Sequence, residues 1–137
     1  MITAEEIKEA QRQWGTAVVS GDPDRVMELY APNAILKPTL SPVIRDSKPG
    51  IRAYFEGSKE FEDHGFLAGN RWAEVLFHNL CDPLVNGDFA IDVGKYTFVQ
   101  RDGQKVVADY TFTYARIDDE LRILSQHSSL EYTPQET

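Results

Sequence analysis

The chain is short of positive charge relative to negative, and it has a single cysteine. Its 14 lysines and arginines stand against 22 aspartates and glutamates, a formal net charge of -8, and that sign repels phosphate backbones and anionic lipid heads. Nucleic acid and membrane surfaces are therefore not expected partners. One cysteine, Cys81, has no partner for an internal disulfide, and no Cys/His cluster has zinc-ligand spacing, so no metal site is expected. No apolar run approaches the roughly 20 residues that span a bilayer, and no basic, apolar leader opens the sequence, which makes the cytoplasm the expected location. Also missing are a Gly-rich phosphate loop, a Gly-x-Ser-x-Gly elbow, a His-Glu-x-x-His pair and a Cys–His nucleophile pair. Hydrolases, kinases and zinc enzymes lose ground accordingly, and no cofactor is expected.

What is present suits one globular domain spanning residues 1–137, with 42% hydrophobic and 26% charged residues. Thr3-Ala4-Glu5-Glu6 reads as a capping box, and Ile7, Ala10, Trp14, Ala17 and Val18 form one apolar stripe that Gly21 ends, so a helix is expected over about residues 4–20. Asp22-Pro23 restarts a short second helix that stops before Pro32. Ala34-Ile35-Leu36 and Val43-Ile44, broken by Pro38 and Pro42, suggest a small hairpin. Ile51, Tyr54, Phe55, Ser58 and Phe61 return to helical spacing through about Glu62. From Arg71 onward the period changes to two, giving four long strands near residues 72–77, 90–99, 106–117 and 122–130, with turn chemistry at Asn86-Gly87-Asp88, Arg101-Asp102-Gly103-Gln104 and Asp118-Asp119-Glu120. Helices first and an antiparallel sheet after is the α+β pattern. Residues 1–3 and 133–137 are expected to fray.

A loop of two or four residues at Asp118 places Tyr110, Phe112, Tyr114 and Arg116 on one sheet face with Ile123, Ser125 and His127. The other face then holds Asp109, Thr111, Thr113, Leu124 and Gln126. One reading is an ordinary sheet with one wet side. The other is that helices bearing Trp14, Tyr30 and Tyr54 cover the polar row and enclose a pocket, with Trp14, Tyr54, Trp72, Thr111 and Gln126 in its walls. Asp109 would then be a carboxylate in a partly dry cavity, fit to act as a general base, with Tyr30, Tyr54 or Tyr96 as oxyanion donor. A solvated carboxylate on an exposed face is the plainer alternative. His127 suits a structural or interface role, and His64 and His78 rank lower.

Several short blocks, in this order, resemble a known family: Ser20-Gly21-Asp22-Pro23, Leu29-Tyr30-Ala31, Ile51-Arg52-Ala53-Tyr54-Phe55, Gly94-Lys95-Tyr96-Thr97-Phe98, Tyr110-Thr111-Phe112-Thr113-Tyr114 and His127-Ser128-Ser129. Together they resemble the association domain of calcium/calmodulin-dependent protein kinase II, in its stand-alone bacterial form, within the NTF2-like superfamily that also holds ketosteroid isomerase and the SnoaL cyclases. The resemblance implies a cone of three helices against a curved sheet around a pocket. It also implies self-association as a dimer or larger ring through the convex sheet face, to which Tyr110, Phe112, Tyr114 and His127 are assigned. Asp109 and Gln126 stand where the bacterial pattern has an arginine and a histidine, and Leu121 where it has a tryptophan. Two functions stay open. One is a self-associating module without kinase activity, holding a small apolar or weakly polar ligand. The other is a cofactor-independent isomerase, cyclase or dehydratase with Asp109 as base and Tyr30 or Tyr96 as donor.

Overall fold

The computed structural model describes residues 1–135. Helix α1 (Ala4–Ser20) begins at the expected capping box, Thr3 accepting from the Glu6 amide and Glu6 from that of Thr3, and ends at Gly21 in the left-handed region at φ 71°. Asp22 caps α2 (Pro23–Met27), with proline in the first turn. Helix α3 (Lys48–Glu56) is shorter than the spacing implied, because Gly57 at φ 107° turns the chain out of the helix and Ser58 bridges back to Asp63. Of the ends expected to fray, residues 136–137 lie outside the described residues. Ile2 is buried and its amide donates to the Gly87 carbonyl (3.2 Å).

Six strands form one sheet: β1 (Tyr30–Lys37), β2 (Trp72–His78), β3 (Leu84–Asn86), β4 (Phe89–Gln100), β5 (Lys105–Ile117) and β6 (Glu120–Leu130). The spatial order is β1-β6-β5-β4-β2, with β3 also on β4. The sheet is mixed, since β1 lies parallel to β6 while all other pairs are antiparallel. The expected hairpin is instead this longer β1, whose Leu36 makes one antiparallel bridge to Arg45 across a proline-bearing loop. The architecture is α+β and NTF2-like, the helices lying on the concave face of the sheet.

That concave face is the aromatic one, which reverses the expected faces. Tyr96, Tyr110, Phe112 and Tyr114 are each no more than 2% exposed. They are core, not an interface. Burying such rings, at roughly 150–250 Å² each and about 25 cal/mol per Å², outweighs enclosing a row of Asp109, Thr111 and Thr113 that would need partners inside. Trp14 of α1 stacks on Tyr96 (5.8 Å, 18°) and meets Phe112 edge-on (5.7 Å, 71°).

Candidate active site

A bulge in β6 builds the site. Near the turn the pairing follows expectation, Ile117 opposite Glu120 and Tyr114 opposite Ile123, but Thr113 then faces Ser125. Leu124 is the extra residue, and beyond it the alternation is inverted. Gln126 and Ser128 therefore point inward beside Phe112 and Tyr110, and His127 points outward beside Thr111. The expected pairing of His127 with the aromatic row is corrected by this single residue.

Inside, one hydrogen-bond chain runs across the concave face. The Trp14 indole donates to Tyr30 Oη (3.2 Å), and Tyr30 donates to Gln126 Oε1. Gln126 Nε2 donates to Tyr96 Oη (3.2 Å), and Tyr96 donates to Ser128 Oγ (2.5 Å). Thr39, carried on the loop after β1, also donates to Ser128 Oγ. Both Tyr96 and Thr39 thus point their protons at Ser128. The Ser128 hydroxyl hydrogen is left to donate into the chamber, since a hydroxyl that accepts two bonds still has one to give.

Apolar groups close the chamber: Leu36, Pro38, Phe55, Phe66 and Phe98, with Trp14 and Tyr54. No carboxylate, imidazole, ammonium or guanidinium lines it. Its free volume is about 10 Å³, room for about one water. Burial raises the pKa of Tyr30 and Tyr96, hydrogen bonds from the neighbouring groups opposing it in part. Tyr54 is pushed up to about 12, again by burial. These phenols keep their protons at physiological pH, and Tyr30 and Tyr96 act as donors.

Two features missed from the sequence hold the loop that carries Thr39. Arg45, 1% exposed, forks onto Asp63 (2.8 and 2.6 Å) and donates to the Gly50 carbonyl and Ser41 Oγ, both at 3.0 Å. The Leu36 and Arg45 backbones exchange two bonds of 2.8 Å. Arg45 and Asp63 lie far apart in any periodic pattern, and only the loop geometry brings them together. Another buried group, Asp92, sits at the far end of the concave face and accepts from Gln11 (2.8 Å). Burial raises its pKa, opposed by hydrogen bonds from Gln11 and Tyr110.

The structure gathers Trp14, Tyr30, Tyr54, Tyr96 and Gln126 around one chamber and leaves the other expected residues outside it. Asp109 is on the outer face, paired with Lys95 at 2.5 Å, so base and tyrosine donors are on opposite sides of the sheet. Thr111 is beside it, lining an outer groove with His127. Trp72 is buried, but in the wall of a separate hollow next to the chamber. The residues that sequence reading passed over are Thr39 and Ser128. Ser128 belongs to the block His127-Ser128-Ser129, and only the inverted alternation shows which serine faces in.

A surface hollow of about 480 Å³ between α1 and the β5–β6 turn is walled by Glu5, Glu6, Glu9 and Glu120, with Arg122 as its one cation. An anion would be repelled there. Among the described residues no group of three or more His, Cys, Asp or Glu is placed to hold a metal ion, and no helix is long and apolar enough to cross a membrane.

Residues 24–130 match the profile of the metal-independent carbonic anhydrases. The chain belongs to the metal-independent carbonic anhydrase family. A metal-independent carbonic anhydrase from Nostoc sp. (strain PCC 7120) is 31% identical over 155 residues, covering 96% of this chain and 75% of that protein. Among solved structures, the iota-carbonic anhydrase of a cyanobacterium, complexed with bicarbonate, superposes with a TM-score of 0.88 at 27% identity, over 97% of this chain and 94% of that one. A protein from Xanthomonas campestris, described as a calcium/calmodulin-dependent protein kinase II association domain, superposes at 0.77 with 31% identity, over 96% and 89%. An NTF2-like protein of Shewanella oneidensis, 19% identical with a TM-score of 0.71 over 93% and 99%, shares the fold. The family is thus a member of the superfamily that the sequence resembles.

Proposed function

We propose that the chain interconverts carbon dioxide and bicarbonate in the Thr39–Tyr96–Ser128 chamber, without a metal. The observation that carries this reading is the convergence of two hydroxyls, Tyr96 and Thr39, on Ser128 Oγ inside an otherwise apolar chamber, which leaves the Ser128 proton for a substrate oxygen. Membership of the metal-independent carbonic anhydrase family and the likeness to a bicarbonate-complexed relative support it.

The geometry suits a neutral proton relay. Apolar walls favour carbon dioxide, which has no net charge or dipole, over the water it displaces. A water held by Thr39 attacks the carbon, forming one C–O bond. Its proton passes to Thr39 Oγ1, the Thr39 proton to Ser128 Oγ, and the Ser128 proton to the carbon dioxide oxygen that gains the π-electron pair. The product is carbonic acid, which ionises to bicarbonate on leaving, and both hydroxyls regain one proton each. Tyr96 holds Ser128 in place and stabilises negative charge that develops on it. Because the chamber has room for about one water, Phe66 or the Thr39–Leu40 lip yields to admit carbon dioxide. Stopped-flow hydration assays of Thr39→Val and Ser128→Ala test the reading: both lose activity if it holds, and wild-type rates in either refute it.

Self-association, the other expected property, attaches to the outer face of the sheet. There Leu76, Leu84, Phe89, Ile91 and Val93 stand at least 38% exposed on neighbouring strands, an apolar surface of the kind that pairs with a second copy. Ile91→Asp is expected to lower the mass measured by light scattering, and an unchanged assembly refutes that placement.

A further inference from the structure

Beside the chamber lies a hollow of about 220 Å³ whose walls include Thr39, Phe66 and Phe98, which also line the chamber. One charged side chain lines it, and that is Arg71. The rest of its wall is apolar, Trp72, Val106, Ala108 and Leu130 among it, with Gln100 and Thr39 as the polar groups. Arg71 lies over the Trp72 ring (4.9 Å to its centroid) and near Phe66 (5.9 Å). Its guanidinium donates two long bonds to backbone carbonyls, Nε to Phe66 (3.3 Å) and Nη2 to Gly65 (3.4 Å). Among the described residues it forms no ion pair within 4.0 Å, whereas Arg12, Arg45, Arg52, Arg116 and Arg122 each do. The nearby Asp63 is already held by Arg45.

We propose that Arg71 and this hollow form an anion-binding vestibule that takes a small planar monoanion of the carboxylate type, bicarbonate above all, as it passes between the chamber and solvent. The proposal rests on the carbonic anhydrase reading for the identity of the anion, and on the hollow alone for its charge and shape. A chain with a net charge of -8 repels bicarbonate as a whole. A product anion leaving an apolar chamber needs a local cation, and Arg71 is the cation that shares a wall with it. The fork of a guanidinium matches the two oxygens of a carboxylate edge, and partial burial against Trp72 strengthens the attraction over that of a fully hydrated surface cation. Phe66 separates vestibule from chamber, so its movement would admit carbon dioxide and hand bicarbonate to Arg71.

The test is an equilibrium one, because kcat/KM in the two directions is tied by the reaction's equilibrium constant and must fall together. Trp72 under the guanidinium supplies the signal: tryptophan fluorescence is titrated with sodium formate, and separately with bicarbonate in a sealed cell, against a sodium chloride control at equal ionic strength. Wild-type protein is expected to show a saturable change with both. Arg71→Gln should weaken it about tenfold, and Arg71→Lys should restore it only in part, because an ammonium lacks the planar fork. Ser128→Ala should bind formate as wild type does while losing hydration. A wild-type chain that shows no saturable change, or one that chloride reproduces, overturns the proposal, as does an Arg71→Gln protein that titrates normally. Should Arg71→Gln not fold, formate affinity in Arg71→Lys equal to wild type overturns it on its own. Loss of formate binding without loss of hydration in the Arg71 variants keeps the vestibule. Formate binding in a wild-type chain with no hydration activity sinks the carbonic anhydrase reading and leaves the anion site standing.

Discussion

Replacing Ser128 by alanine removes one oxygen, 5% exposed as a residue, and with it the acceptor shared by Tyr96 and Thr39. Two effects separate in the structure. The first is stability: Tyr96, fully buried, keeps its bond from Gln126 but has no acceptor for its own proton, a loss of about 1–3 kcal/mol. The second is the reaction: the proton donor to the substrate oxygen is gone, and losses of a single positioned donor run to about 10²–10³ in rate, roughly 2.7–4 kcal/mol of barrier. Carbon dioxide hydration followed by stopped flow with a pH indicator reads the second, and a thermal melt reads the first. Thr39→Val, which breaks the relay one step earlier, should cost a similar factor. The double variant should then be little worse than either alone, because residues acting as one unit are not additive. If Ser128→Ala keeps more than about a third of the wild-type kcat/KM, or the two losses multiply, the relay does not exist.

Because the chamber holds no group that titrates near neutrality, kcat/KM for hydration should be flat between about pH 6 and pH 9, phenols ionising near 10 even unburied. A rise through about pH 7, as a metal-bound water gives, would contradict this. Asp109→Asn should leave hydration at the wild-type rate, since Asp109 faces away from the chamber, and a large loss would reopen the reading with Asp109 as base. Arg45→Met strands the buried Asp63 carboxylate and should cost about 3–5 kcal/mol of stability in denaturant titrations, against no more than about 1 kcal/mol if the pair were an ordinary surface one.

Local signals in the sequence carried much of the fold. The Thr3 capping box, Gly21 and the Asp22-Pro23 restart fix the first two helices because caps act within a few residues. Alternation marks the first half of β4 and most of β5, and β6 up to its bulge. What escaped depends on partners distant in the chain. The parallel pairing of β1 with β6 joins Leu36 to Gln126, and no local pattern announces it. The bulge at Leu124 has no glycine or proline to mark it, yet it decides that Gln126 and Ser128 face the tyrosines and that His127 does not. Tyr30, Tyr96, Trp14, Tyr54 and Gln126 stand out in the sequence as candidates, and the structure gathers them around one chamber, Gln126 only because of the bulge. Asp109 is conspicuous in the sequence as a mid-strand carboxylate. Its partner Lys95 lies directly opposite on β4, and the pair satisfies itself on the wet face. Thr39 went unnoticed because a loop residue acquires meaning only once Arg45 fixes the loop.

The most direct test is the rate at which the purified, chelator-treated protein depletes oxygen-18 from labelled bicarbonate, followed by membrane-inlet mass spectrometry. Depletion well above the uncatalysed rate in wild-type protein, falling to background in Ser128→Ala, is the expected result. Depletion at the uncatalysed rate in wild-type protein, or an equal acceleration in Ser128→Ala, would contradict catalysis at the Thr39–Tyr96–Ser128 chamber.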